Sequence, residues 1–183
     1  MRVIAGSARG KRLETRRVRS LRPTSDYIRE VLFNILRDRV RDSRFLDLFA
    51  GSGAVGIEAL SRGAQKVTFV ERDPFSIRLI RRNLERLGLL AAGELFQGEA
   101  LRALESLKAW GKRYNLIYVD PPYQGTLAED ALEAISQGSL LEDEGLVVVE
   151  HFHKRGLPQE VGCLKKLREK RHGQAKLSIY GKP

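Results

Sequence analysis

The sequence predicts an α/β fold: a mostly parallel, doubly wound sheet with helices on both faces. Three observations lead there. From residue 45 to residue 151, short apolar runs alternate with amphipathic stretches of helical length. Turn residues separate the two kinds of segment. The first apolar run, FLDLF, is followed at once by the glycine-rich GSGAVG. Repeated strand–helix units make neighbouring strands parallel, with right-handed crossovers that cover both faces.

The elements follow in order. RVIAGSARGKRLE, residues 2–14, pairs two short runs around SARG and reads as a small hairpin. In RPTSDYIREVLFNIL, Ile28, Val31, Leu32, Ile35 and Leu36 recur at helical spacing, with Thr24 or Ser25 placed as N-cap. Residues 1–40 thus form a basic N-terminal extension, and 41–183 the main domain. FLDLF is the first strand of that domain, and 53–62 the helix after it. KVTFVE at 66–71 is the second strand. Asp73 then caps a helix that has Pro74 at its first position and stops at Gly88. ELFQ near 94–97, YNLIYVD and EGLVVVEH supply three more strands, with helices around 100–109 and 127–137 between them. Two strand-like runs around HGQ, within 163–180, read as a closing hairpin at one edge of the sheet.

Composition narrows the class. No apolar run is long enough to cross a bilayer, and the start, MRVIAGSARGKRLE, lacks the apolar centre of a secretion signal. The single cysteine, Cys163, excludes an internal disulfide framework and sits in an apolar stretch, so packing is its expected role and a reducing cytoplasm the expected compartment. Charge is segregated. Residues 1–22 carry a net +7, residues 151–183 another +7, and the stretch between them −4. Basic ends around a mildly acidic body suggest a polyanion, RNA or DNA, laid across the protein's edge. His151, His153 and His172 read as polar strand and turn residues. No Cys or acid cluster completes a metal set around them, and no metal is expected.

GSGAVG has the G-x-G-x-x-G spacing between a strand and a helix. That spacing serves a tight turn, and it also brings backbone close to a ligand at the switch point of a doubly wound sheet. Gly51 and Gly53 are its first two glycines. Glu71 ends the second strand where a carboxylate can accept from ribose hydroxyls. A dinucleotide and S-adenosylmethionine both fit such a site. Asp47, close to the glycine turn, would repel a pyrophosphate but can hold the positive charge of a sulfonium-bearing amino acid; it can equally bond turn amides as a buried structural acid. Glu99, at the end of the third strand, is placed both for an adenine amino group and for the first turn of the next helix.

VDPPY ends the fourth strand. A rigid turn accounts for Pro121 and Pro122 but not for the carboxylate and ring beside them. Methyl transfer to an exocyclic amine of a nucleobase accounts for all of them. The amine lone pair is delocalised into the ring. Acceptors on its N–H groups, from the Asp120 carboxylate and the Pro121 carbonyl, draw the nitrogen towards tetrahedral geometry and stabilise the charge that develops. Tyr123 offers a flat face for the base. The target must be single-stranded or flipped out.

Taken together, RVIAGSARGKRLE, RPTSDYIREVLFNIL, FLDLFAGSGAVGIEALSRGA, VERD, VDPPY and RHGQAKLSIYG resemble, in order and spacing, the RsmD family of class I S-adenosylmethionine-dependent methyltransferases. These are bacterial 16S ribosomal RNA guanine-N2 methyltransferases. The resemblance spans nearly the whole chain, and its N-terminal RPT segment is more specific than DPPY. It implies a Rossmann-like sheet of seven strands and a monomeric cytoplasmic enzyme that methylates one guanine of 16S rRNA (position 966 in the usual small-subunit numbering), in naked RNA or in a 30S particle. It places Asp47, Gly51, Gly53, Glu71 and Glu99 around the cofactor and Asp120, Pro121 and Tyr123 around the base. Arg22, Pro23 and Thr24 would lie near the RNA, with Arg9, Lys11 and Arg12 among the phosphate-holding cations. Glu99 stands where the family more often has Asp, and Tyr27 where a basic residue is common. The competing readings are a DNA or RNA adenine-N6 methyltransferase, a nicotinamide oxidoreductase and a non-catalytic RNA-binding protein.

Overall fold

The computed structural model describes residues 1–15 and 26–183. Its strands are β1 (Arg44–Asp47), β2 (Lys66–Glu71), β3 (Gly93–Gln97), β4 (Tyr114–Val119), β5 (Leu141–Phe152), β6 (Glu160–Val161), β7 (Leu164–His172) and β8 (Ala175–Gly181). The helices are α1 (Asp26–Leu36), α2 (Ala54–Ser61), α3 (Pro74–Leu87), α4 (Ala100–Ala109) and α5 (Leu127–Ser136). One sheet runs in the order β3-β2-β1-β4-β5-β8-β7-β6. Strands β1 to β5 are mutually parallel, and β8, β7 and β6 complete the sheet antiparallel.

The fold class is as the sequence predicts, with one correction to the count. Among the described residues eight strands are present in place of seven, because Glu160 and Val161 pair with Lys165 and Leu164. A two-residue edge strand has no periodicity to read. Strand order reverses between β1 and β4, which both grow outward from the middle of the sheet. The crevice at their carboxyl ends is therefore the place where a ligand can enter between diverging loops.

Local chemistry explains the boundaries. Asp73 accepts from the N–H groups of Phe75 (3.3 Å) and Ser76 (3.1 Å), Pro74 opens α3, and Gly88 ends it in the left-handed conformation. At Gly56 any side chain would be excluded, since a Cβ there would lie 2.2 Å from the Phe69 ring. That close approach presses α2 onto β2.

Two apolar layers sandwich the sheet. Phe45, Phe69, Tyr118 and Ile179 face α1, α2 and α3. Leu46, Val70, Ile117 and Val149 face α4 and α5. The N-terminal segment joins the first layer. Val3, Ala8 and Leu13 are buried in it, and antiparallel pairing of Arg2 with Arg12 closes the expected hairpin. Buried Glu58 of α2 holds the hairpin by its backbone, accepting from Ile4 N–H (2.7 Å) and Ala5 N–H (2.9 Å), and also pairs with Arg62. On α1 the buried face is Arg29, Leu32, Phe33 and Leu36, while Ile28, Val31 and Ile35 are only partly covered. The proposed caps Thr24 and Ser25 lie outside the described residues.

Candidate active site

Asp47 ends β1, and the chain then turns through Gly51 (φ 53°) and Gly53 (φ 77°), conformations that favour glycine. The turn is sewn to both neighbouring strands: Leu48 N–H donates to Tyr118 O (3.0 Å) and Ala50 N–H to Val70 O (2.9 Å). A Cβ on Gly51 would meet nothing within 4 Å, so the turn faces open space, whereas at Gly53 it would press on Ile80.

Three acids mark the ends of the strands on this side. Asp47 is buried, and its Oδ2 accepts from Gly56 N–H at 2.9 Å. Burial pushes its carboxyl up to about 7, against the lowering effect of that hydrogen bond; the charge of Glu71 adds to the rise. Glu71 is half-buried and bridges the turn, Oε2 accepting from Gly51 N–H (2.8 Å) and Oε1 from Asp73 N–H (2.9 Å). Glu99 stands exposed at the start of α4, 3.7 Å from Arg72 Nη1. Its side chain makes no cap hydrogen bond.

On the other side of the switch point, Tyr118 of β4 pairs with Asp47 of β1, and Asp120 follows two residues later at the same rim. Pro121 is buried, and Tyr123 is 41% exposed. Behind them lies an acid that sequence reasoning missed. Buried Glu150 of β5 accepts from Tyr118 Oη at 2.5 Å and from Tyr123 Oη at 3.3 Å. Burial raises the Glu150 carboxyl, and the two phenol hydrogen bonds pull the other way. Burial, and then the charge of Asp120, hold the Tyr118 phenol well above its usual range. A small cleft beside this group is lined by Pro121, Pro122, Tyr123, Glu150, Phe152 and Arg155. The signal was present in VVVEH: like β1 and β2, β5 carries an acid at its carboxyl end.

The structure thus brings Asp47, Gly51, Gly53 and Glu71 together, sets Glu99 on the adjoining strand's loop, and places Asp120, Pro121 and Tyr123 across the switch point. It does not bring Arg9, Lys11 and Arg12 there. They are exposed on a hairpin that docks against Glu58 and Ser61, in the last turns of α2. Glu58 and Ser61 lie about 8 and about 12 Å along the helix axis from Gly53. Arg22, Pro23 and Thr24 lie outside the described residues. Among the described residues no group of His, Cys, Asp and Glu is arranged to hold a metal, and no helix is long and apolar enough to cross a membrane. His151 is buried, with Nε2 2.8 Å from Ser178 Oγ. Cys163 is exposed rather than packed, its thiol donating to Ser136 O at 3.0 Å.

A family model described as "Conserved hypothetical protein 95" matches residues 1–181. Over 181 residues the chain is 37% identical to the ribosomal RNA small subunit methyltransferase D of Escherichia coli K12, an alignment covering 98% of this chain and 89% of that one. It is 38% identical over 182 residues to YlbH of Bacillus subtilis 168, covering 100% and 99%. The solved structure of Escherichia coli YhhF superposes with a TM-score of 0.88 at 36% identity, over 100% of this chain and 97% of that one.

Fold and rim together define a Rossmann-like, S-adenosylmethionine-dependent methyltransferase. The acids at the strand ends, Asp47 and Glu71, suit a donor whose sulfonium and ammonium groups are positively charged. More narrowly, the chain belongs to the RsmD family, as its motifs implied.

Proposed function

We propose that this enzyme methylates the exocyclic N2 amine of one guanine in small-subunit ribosomal RNA. The observation that carries the reading is the DPPY segment at the carboxyl end of β4, directly across the switch point from the Gly51–Gly53 turn. A relative 37% identical over nearly the full chain is a ribosomal RNA small subunit methyltransferase, which supports the RNA substrate. The basic ends support it too. In this reading the enzyme acts as a cytoplasmic monomer on rRNA or on a 30S particle.

Each side chain has a task. Glu71 already accepts two backbone N–H groups, and a carboxylate has lone pairs for about four, so it can also take ribose hydroxyls. Glu99, exposed beside it, reaches an adenine edge. Asp47 supports the turn from beneath and sets negative charge behind the amino-acid end of the donor. The donor supplies an electrophilic methyl group on a sulfonium. Asp120 and the Pro121 carbonyl accept the amine N–H groups, which localises the nitrogen lone pair for in-line attack. The N–CH3 bond forms as the S–CH3 bond breaks, and the electron pair leaves with sulfur as a neutral thioether. The alkylated nitrogen then loses its proton to Asp120 or to water. Tyr123 stacks the flipped base, and Glu150 fixes the ring through its hydroxyl.

Incubation with methyl-labelled cofactor and either 16S rRNA or unmodified small subunits, followed by nucleotide mapping, tests the assignment. Label on a single guanine N2 is expected. Label on adenine N6 would move the reading to the adenine enzymes.

A further inference from the structure

Five exposed or half-exposed rings along the carboxyl rim belong to neither apolar layer of the fold. Tyr123 lies 6.3 Å from Phe152 between ring centroids, and Phe152 lies 4.8 Å from His153. His153 is fastened to the turn between β7 and β8, its N–H donating to Gln174 O at 2.9 Å. On the far side of that turn, the His172 ring lies 4.0 Å from Tyr27, which is 53% exposed in the first turn of α1. The rings therefore run from the DPPY pocket, over the end of β5, across the hairpin tip and onto α1. In sequence α1 begins two residues after Thr24, the last of Arg22, Pro23 and Thr24.

The charge beside this line is positive. Lys154, Lys170 and Arg171 are exposed next to it. Two of the nearby acids are occupied, while Glu30, one turn along α1 from Tyr27, is exposed. Burial works against the Glu169 carboxylate, but hydrogen bonds from Lys166, Lys176 and Ser178 overcome it and hold it down to about 2. Asp26 pairs with Arg29 at 2.7 Å. Flat apolar faces flanked by cations are what a single-stranded nucleic acid takes: bases stack on the rings while phosphates meet Lys and Arg. A duplex hides its base faces and cannot use them.

We propose that this line of rings is a binding site for the unpaired nucleotides adjoining the target base, with Phe152 and His153 as the near platform and Tyr27 stacked on His172 as the far one. The site rests on RNA being the substrate, but its test is separate from catalysis.

Binding of a short fluorescent single-stranded RNA of mixed sequence, and of the same RNA annealed to its complement, is measured with the parent protein, Tyr27→Ala, His172→Ala, Tyr27→Trp and Phe152→Leu. The alanine variants should each weaken single-strand binding by about ten-fold. They should leave duplex binding, the salt slope and cofactor affinity as in the parent, because no phosphate contact is lost. Tyr27→Trp should keep parental affinity, which separates stacking from a structural role. Parental binding by Tyr27→Ala and His172→Ala, equal losses for single strand and duplex, or no single-strand binding by the parent would each overturn the site. If the parent labels no ribosomal RNA yet Tyr27→Ala loses single-strand binding, the site stands and the substrate reading falls.

Discussion

The two sides of the switch point are built from the same material, acids at strand ends, yet they fasten those acids differently. On the side of β1 and β2 the partners are backbone amides. Asp47 holds Gly56, and Glu71 holds Gly51 and Asp73, so the carboxylates fix the path of the glycine turn. On the side of β4 and β5 the partners are phenols. Glu150 holds Tyr118 and Tyr123, so the carboxylate fixes the position of a ring. On the proposed function, the first arrangement would shape a cradle for a ligand of constant structure, and the second would aim a side chain at a base that must arrive from outside and leave again.

Substitutions that cross this division should separate the two sides. Asp120→Ala has the largest expected effect. Turnover should fall by about 10²–10³-fold, the scale of losing a transition-state hydrogen-bond partner, while cofactor binding measured by calorimetry stays within two-fold. Loss of cofactor affinity in proportion to turnover would erase the distinction between the sides.

Asp47→Asn probes the other side through stability. The Asp47 carboxyl ionises near 4 when unfolded and near 7 when folded, so the folded state holds its proton longer. The stability this brings is complete below pH 4 and is lost as pH rises to about 7. Asparagine keeps an acceptor for Gly56 N–H without that titration. Denaturant unfolding without cofactor should therefore show the variant gaining on the parent by about 2–3 kcal/mol between pH 4 and pH 7, then levelling. A difference that does not vary with pH would show that Asp47 is not penalised by burial.

Glu150→Gln should act through the ring. A drop of about ten-fold in kcat/KM for RNA is expected, with cofactor affinity unchanged. In a double-mutant cycle with Tyr123→Phe the two effects should be less than additive, because glutamine leaves one acceptor oxygen for two phenols and both changes weaken the Tyr123 contact. Additive losses would place Glu150 in some other role. Neutralising Arg9, Lys11 and Arg12 should have the smallest effect on turnover. It should lower the salt slope of RNA binding by up to about 3, and an unchanged slope would make these residues bystanders.

What was legible in the sequence follows the range of the interactions. The alternation of strands and helices, the Asp73–Pro74 start and the Gly88 stop of α3 depend on neighbours in the chain, and they stand as read. FLDLF is two residues longer than the strand at its carboxyl end: β1 stops at Asp47 because the chain turns from Leu48 into the Gly51–Gly53 loop. Contacts between distant segments left no local mark. Arg29 looks like a surface residue of an amphipathic helix, yet it is buried, donating to Arg2 O and Asp26. Cys163 lies between apolar residues but falls on the outside of the turn leading into β7. The cofactor-side motifs were legible because a glycine turn and its acids are contiguous or evenly spaced. Glu150 was legible only as an acid near a strand end; its link to Tyr123 was not, because only the pairing of β4 with β5 brings the two together.

The most direct test of the account is a single-turnover measurement, with enzyme and cofactor in excess over unmodified RNA, comparing the parent with Asp120→Asn. Replacing one carboxylate oxygen by an NH2 group removes the negative charge and leaves one acceptor oxygen in place of two, without changing size. The account predicts a methyl-transfer step slowed by about 100-fold with both ligands fully bound. Transfer at the parental rate would contradict it, because the amine would then need no carboxylate to attack.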